Sequence, residues 1–146
     1  MKAAVSEFLL LHGFLPLEQG SRWGHCVVRH PAPADLATRQ QEREDFLRNV
    51  PTGGGLYAYR DATGAVLYLG QSNTLRARLR HHYREMCEPL SATGSAAFHA
   101  FFNGKPGPLR VYWTAMDDHA SRRVIEVAMQ FVTEEEWNRG RARKFA

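Results

Sequence analysis

Residues 55–70 read Gly55-Leu56-Tyr57-Ala58-Tyr59-Arg60-Asp61-Ala62-Thr63-Gly64-Ala65-Val66-Leu67-Tyr68-Leu69-Gly70. Two runs rich in strand formers, 55–60 and 65–70, flank Asp61-Ala62-Thr63-Gly64, a turn with Gly where a positive φ is wanted. The stretch predicts a β-hairpin. If Arg60 and Ala65 close the loop, Tyr57 faces Tyr68 and Gly55 faces Gly70. Directly opposed side chains share a face of a sheet, so two phenols are expected side by side near glycines at the strand ends. A bulge would shift that register.

Downstream, Asn73 is the expected N-cap of a helix over 74–87. Leu75, Leu79, His82 and Met86 recur on it at spacings of three and four, and Arg78 and His82 are neighbours on one face. Arg76, Arg80 and Arg84 form a second, basic row. A helix over 94–102, a loop over 104–108, a strand over Leu109–Ala115 and a long helix over 118–132 follow, before a basic tail. Upstream, Pro51 and the run Gly53-Gly54-Gly55 mark the clearest break, which divides the chain into an N-terminal extension, 1–50, and a domain, 51–146. The extension reads as a helix over 3–13 with Val5, Phe8, Leu9 and His12 on one face, a strand-forming stretch over 22–29, a Pro-rich linker at 31–34, and a charged helix over 35–49 capped by Asp35.

The chain has 146 residues, 44% hydrophobic and 23% charged, an ordinary globular composition that excludes wholesale disorder and collagen-like fibres. No run of apolar residues is long enough to predict a membrane-spanning helix. The net charge of +4 is unevenly placed: residues 1–50 hold six basic and six acidic side chains, residues 51–146 thirteen and nine. Most of the cations are arginine, whose planar fork of donors suits phosphate oxygens. A basic second part points to a polyanionic partner, although a solvated cationic surface has the same composition. Two cysteines make no disulfide framework, so a reducing, cytoplasmic setting is expected. Glu7 and His12 flank the short apolar stretch Phe8–Leu11, and no small-residue cleavage site follows cleanly, which argues against a leader. His25, Cys26 and His30 lack the second ligand pair of a zinc site, and the glycine run lacks the Lys-Ser/Thr of a phosphate loop.

Glu126 stands inside Val124-Ile125-Glu126-Val127-Ala128-Met129, the most apolar stretch of the last helix. A carboxylate there is costly unless it is exposed or meets a cation or a metal. A helix-surface ion pair with Arg122 or Arg123 is the plain explanation. Taken singly, Tyr57 and Tyr68 read as sheet aromatics, Arg78 as a solvated cation, His82 as a packing histidine and Asn138 as a turn residue.

Together they form a more specific pattern. Gly55-Leu56-Tyr57, ten residues, then Tyr68-Leu69-Gly70 resembles the motif pair of the GIY-YIG nuclease superfamily, with Leu in place of the more typical Ile. The resemblance continues over residues 53–140. Arg78, ten residues after Tyr68, matches the catalytic arginine on the first helix. His82 matches a position held by His or Tyr, Glu126 the metal-binding glutamate, and Trp137-Asn138-Arg139 the closing motif. Some members carry a basic residue directly after the second motif, where this chain has Gln71, and Glu134-Glu135-Glu136 precedes Trp137 where many members have prolines or a Lys.

The resemblance implies an α/β fold: a small, mainly antiparallel three-stranded sheet flanked by helices, here with an N-terminal helical extension. It implies a metal-dependent DNA endonuclease. Glu126 would hold Mg²⁺ or Mn²⁺, Arg78 would stabilise charge in the transition state, and Tyr57 would be the general base. His82 is the alternative base, since an unperturbed imidazole titrates near neutrality. Tyr68 would assist as neighbour or proton relay, and Asn138 would organise the site. Arg76, Arg80, Arg84, Arg139, Arg141, Arg143 and Lys144 are the expected contacts to the nucleic-acid backbone. Residues 1–50, being neutral overall, are a poor phosphate-binding surface and are expected to pack on the core, cover an edge strand, or meet a protein partner or second copy. A non-cleaving nucleic-acid-binding or scaffold module on the same fold is the alternative reading.

Overall fold

A computed structural model of the chain describes residues 1–17, 22–87, 100–105 and 107–137. Its centre is a four-stranded antiparallel sheet of order β1-β4-β2-β3, built from β1 (Gly24–Val28), β2 (Gly55–Arg60), β3 (Val66–Ser72) and β4 (Leu109–Ala115). The three-stranded expectation therefore gains a strand. β1 comes from the extension and pairs along β4, with Gly24 opposite Trp113 and Val28 opposite Leu109.

Alternation along the strands divides the core in two. On one face Tyr57, Tyr59, Leu109, Val111 and Trp113 pack with α2 (Leu36–Leu47) and α3 (Leu75–Cys87). On the other, Leu56, Ala58, Leu69 and Tyr112 pack with α1 (Lys2–Leu11) and α4 (His119–Thr133). With both faces covered, β2 is buried from Gly55 through Tyr59, which is why its sequence is a continuous apolar and aromatic run. The extension thus supplies a strand and a helix on each face.

The hairpin register differs from the simple expectation. Tyr57 pairs with Gly70 and Tyr59 with Tyr68, and the register shifts between Tyr59 and Arg60. Two residues account for it. The Asp61 carboxylate accepts from the N–H groups of Thr63 (2.9 Å) and Ala65 (3.0 Å), which draws Ala65 into the loop. Leu67 is then the extra residue of a bulge, and Leu67 and Tyr68 both pack toward the α3 side. Because the total slip is two residues, side-chain parity is kept. Tyr57 and Tyr68 still share a face, as diagonal neighbours, with ring centroids 5.9 Å apart and planes 18° apart.

Asp35 caps α2 through the Thr38 N–H (2.8 Å), as the sequence suggests. Asn73 does not cap α3. Instead the carbonyls of Gly53 and Pro51 accept from the first-turn N–H groups of Leu75 (2.8 Å) and Arg76 (3.1 Å), and the Asn73 side chain is taken by Arg122. Of the helix expected over 94–102, only residues 100–102 lie within the described residues, in a helical stretch that runs on to 103. No helix among the described residues is long and apolar enough to cross a membrane.

Candidate active site

The edge of the sheet at β3 is where the motif residues meet. Gly70 is the floor. A Cβ there would lie 2.6 Å from the end of the Tyr57 ring and its hydroxyl, and 3.0 Å from the Tyr68 ring. The second motif therefore needs a residue without a side chain where a phenol crosses the strand. From α3, Arg78 Nε donates to the Tyr57 hydroxyl (3.4 Å), and Arg78 also hydrogen-bonds with Tyr68. His82 Nε2 lies 3.5 Å from the Tyr57 hydroxyl. One turn of helix separates Arg78 from His82, so the offset of four places both on the phenols.

Exposure separates the members. Tyr57 and His82 are each 1% exposed, Tyr68 is half-buried and Arg78 is exposed. Burial pushes the Tyr57 phenol well above its ordinary range, and the neighbouring Tyr68 adds to this, while Arg78 pulls the other way. Burial holds the His82 imidazole well below the usual 6.5, with Arg78 and His81 adding to the effect. His82 is therefore neutral in the folded chain under conditions in which the unfolded chain takes up a proton. Stability is expected to be complete above pH 6.5 and to fall below it, by up to about 1.4 kcal/mol per pH unit, until the folded imidazole itself titrates. The His82→Gln variant lacks this dependence. Between pH 7 and 5 its melting temperature should drop less than that of the unaltered chain, and an equal drop would refute a neutral buried His82.

Glu126 reaches the same place from the other face. Its carboxyl lies near enough to the backbone N–H of Gln71, the residue after Gly70, for that N–H to favour the charged form. One turn along α4, Gln130 Nε2 donates to the Leu69 carbonyl (3.3 Å). Gln130 thus satisfies a backbone carbonyl on the outward edge of β3, and Glu126 stands beside the next outward N–H. Glu126 is half-buried, and burial raises its carboxyl above the ordinary range against the opposing effects of Arg123 and the Gln71 N–H. The surface ion pair with Arg122 is not formed.

Arg122 is instead a residue that sequence reasoning missed. It is 2% exposed. Its guanidinium donates to Gln71 Oε1 (3.1 Å), the carbonyls of Met116 (2.9 Å) and Asp117 (3.0 Å), and the Asn73 side chain, and it contacts His119 Nδ1 (3.2 Å). A Cβ on Gly54 would collide with it. The glycine run before β2 was the available signal, together with the placement of Arg122 one turn before Glu126. A cation thus approaches Gln71 from α4.

Trp137 packs against Tyr68, with ring centroids 6.0 Å apart, and so brings the closing motif to the site. Asn138, Arg139, Arg141, Arg143 and Lys144 lie outside the described residues. The acidic run is neutralised or withdrawn: Glu134 pairs with Lys2 (2.9 Å), Glu136 pairs with Lys105 (2.5 Å), and Glu135 is buried. In the basic row, Arg76 is tied to the carbonyls of Val50 (2.8 Å) and Arg48 (3.3 Å), and Arg80 pairs with Glu44 (3.2 Å). Arg84 is exposed. At 100° per residue this row lies on the flank of α3 away from Arg78.

No protein-family model matches the chain. Curated relatives do. UvrABC system protein C from Acidobacterium capsulatum is 38% identical over 52 residues, which is 36% of this chain and 8% of that protein. The same protein from Synechococcus sp. strain CC9311 is 48% identical over 49 residues (34% and 8%), and that from Microcystis aeruginosa 44% over 48 residues (33% and 8%). The N-terminal domain of these proteins is of the GIY-YIG type. Over this stretch the chain is similar to these proteins, as its resemblance to the GIY-YIG superfamily implies. Its GIY-YIG hairpin, Arg78–His82 helix and Glu126 helix are arranged around one strand edge, and a fourth strand from the extension completes the sheet. The matched stretch is a small fraction of each relative's length.

Proposed function

We propose that this chain is a metal-dependent DNA endonuclease that hydrolyses phosphodiester bonds. The observation that carries the reading is the convergence on the Gly70–Gln71 peptide. Two phenols, a guanidinium and a neutral imidazole come from one face, and a carboxylate comes from the other.

The donor set fits a hard divalent cation. Among the described residues no group of three or more His, Cys, Asp or Glu could hold a metal, which disfavours a zinc-type cage there. Mg²⁺ keeps several waters and takes one or two carboxylates plus substrate phosphate, so Glu126 alone is sufficient protein ligand. What such a cation supplies is polarisation of a phosphoryl oxygen and charge for the leaving oxygen.

The remaining work falls to the chain's own groups. The Tyr57 oxygen accepts from Arg78 Nε, which leaves its O–H to donate to neutral His82 Nε2. This pins both phenols and the guanidinium in one arrangement. Arg78 is exposed, remains charged and stands where negative charge grows on the phosphoryl group. Access favours Tyr68 over the buried Tyr57 for contact with the attacking water, so Tyr57 and His82 serve as positioning groups behind it. That assignment departs from the one the motif resemblance implies.

The test is cleavage of plasmid, linear duplex, single strand, flap and junction DNA by purified protein, with Mg²⁺ or with EDTA. Mg²⁺-dependent cutting is expected. Arg78→Lys should lower it by about a hundredfold or more, since a point charge replaces a fork of donors. Tyr68→Phe should lose a comparable factor. A Tyr68→Phe chain that cuts at the unaltered rate would return the water-contacting role to Tyr57. No cutting on any substrate, with or without metal, would sink the nuclease reading.

A further inference from the structure

The extension is neutral by count, yet its charges are segregated in space. α2 and α3 enclose a groove of about 410 Å³ whose lining includes Arg39, Gln40 and Arg43 from α2 and Arg80, Tyr83 and Arg84 from α3. Among the described residues four arginines line it and no carboxylate does. The acidic residues Glu42 and Asp45 of α2 turn the other way, into a second groove beside Arg29. Among the described residues, Glu44 pairs with both Arg43 (3.1 Å) and Arg80 (3.2 Å) and so offsets one charge of the four. Arg39 and Arg84 make no ion pair among the described residues. Arg39 and Arg43, like Arg80 and Arg84, are four residues apart, so each pair presents two guanidinium groups about 6 Å apart along its helix.

We infer that this groove is a second track for the phosphate backbone of the nucleic acid, separate from the cleavage site. The inference rests on the nucleic-acid reading above. Arginines that face one another across a polar groove supply forked donors for phosphate oxygens and read no base sequence. The groove lies on the flank of α3 away from Arg78 and His82, at a distance of about one helix width, ~10 Å. Strand phosphates advance about 3.4 Å each along a duplex, so a bound nucleic acid spans both flanks within a few nucleotides. The extension thereby lengthens the footprint beyond what the motif-bearing residues reach.

The test is binding of the full chain to a labelled duplex in EDTA, followed by fluorescence anisotropy over a series of salt concentrations. Each lost phosphate contact makes the slope of log K against log salt shallower by about 0.9. The double variant Arg39→Gln/Arg84→Gln should therefore flatten it by about 1.8, and Arg84→Gln alone by about half of that. The control Arg29→Gln/Arg48→Gln removes the same charge away from the groove and should leave the slope unchanged. Melting temperatures establish that each variant is folded. An unchanged slope in the groove variants, with tight binding by the unaltered chain, overturns the inference alone. Equal flattening in the control reduces it to net charge and overturns it as well. No binding by the unaltered chain overturns the nucleic-acid reading and this inference with it. Polyglutamate at equal charge should compete poorly; if it displaces DNA from the unaltered chain but not from the groove variants, the groove is a site for acidic peptide instead.

Discussion

Replacing Glu126 by Gln is expected to lower Mg²⁺-dependent cleavage by about a thousandfold while leaving the fold and DNA binding in place. Glu126 has two roles that this variant separates. Its oxygen faces the Gln71 N–H at the edge of β3, and a Gln carbonyl can face the same N–H. Only the negative charge is lost. A metal that stabilises the transition state contributes several kcal/mol, and about 4 kcal/mol corresponds to three decades of rate. The melting temperature should stay within about 2 °C of the unaltered chain, because a neutral amide can face the same backbone donor at a half-buried site. Single-turnover cleavage, anisotropy in EDTA and a thermal scan measure the three properties. Undiminished cleavage would remove Glu126 from the metal site. A large loss of stability with it would assign Glu126 to the edge of the sheet and leave its chemistry unsupported.

Replacing Arg122 by Met should have the largest effect on stability. The guanidinium joins Gln71 and Asn73 at the end of β3, the carbonyls of Met116 and Asp117 after β4, and the start of α4. Hydrogen bonds to a charged group contribute about 1.5–3 kcal/mol each, and buried acceptors left without donors cost more than a bond replaced on both sides. A net loss of about 3 kcal/mol is a conservative sum once the relief of removing a buried charge is allowed for. For a chain of this length that lowers the melting temperature by about 10 °C. Arg122→Lys keeps the charge but cannot reach the dispersed acceptors with one ammonium group, so an intermediate loss is expected. A shift below about 2 °C for Arg122→Met would refute the clamp. At temperatures where the variant remains folded, cleavage should still fall, because Gln71 adjoins the peptide on which the site is built.

Local chemistry was legible in the sequence. The strand Leu109–Ala115, the helix capped by Asp35 and the helix His119–Thr133 occupy the segments that alternation, periodicity and the Asp35 cap indicate. The offset from Tyr68 to Arg78 to His82 also holds in space, because a short turn and one helical face connect them. The pairing of the hairpin was less legible. Asp61 can bond its own loop in more than one way, and its capture of the Ala65 N–H moved the Arg60 pair by one residue and, with the bulge at Leu67, the pairs from Gly55 to Tyr59 by two. The parity argument survived only because two single-residue shifts added up. Arg122 read as a surface cation because a helical repeat does not distinguish an exposed arginine from one whose donors meet carbonyls from distant loops. The neutral count over residues 1–50 hid a two-faced α2 for a related reason: net charge ignores direction.

The sequence by itself determined the hairpin, the spans of its principal helices and the phenol–arginine–histidine spacing, all of which depend on neighbours within a few residues. The tertiary structure decided the rest. It placed β1 along β4, turned two rows of arginine into one groove, and brought Glu126 around the open edge of β3 to the peptide beneath Tyr57. Those outcomes depend on which faces and edges remain unsatisfied after the sheet has formed. An open strand edge, a glycine-lined gap and an uncovered helix face exist only in the assembled chain, and distant residues such as Glu126, Arg122 and Arg39 are fixed by what they must cover there.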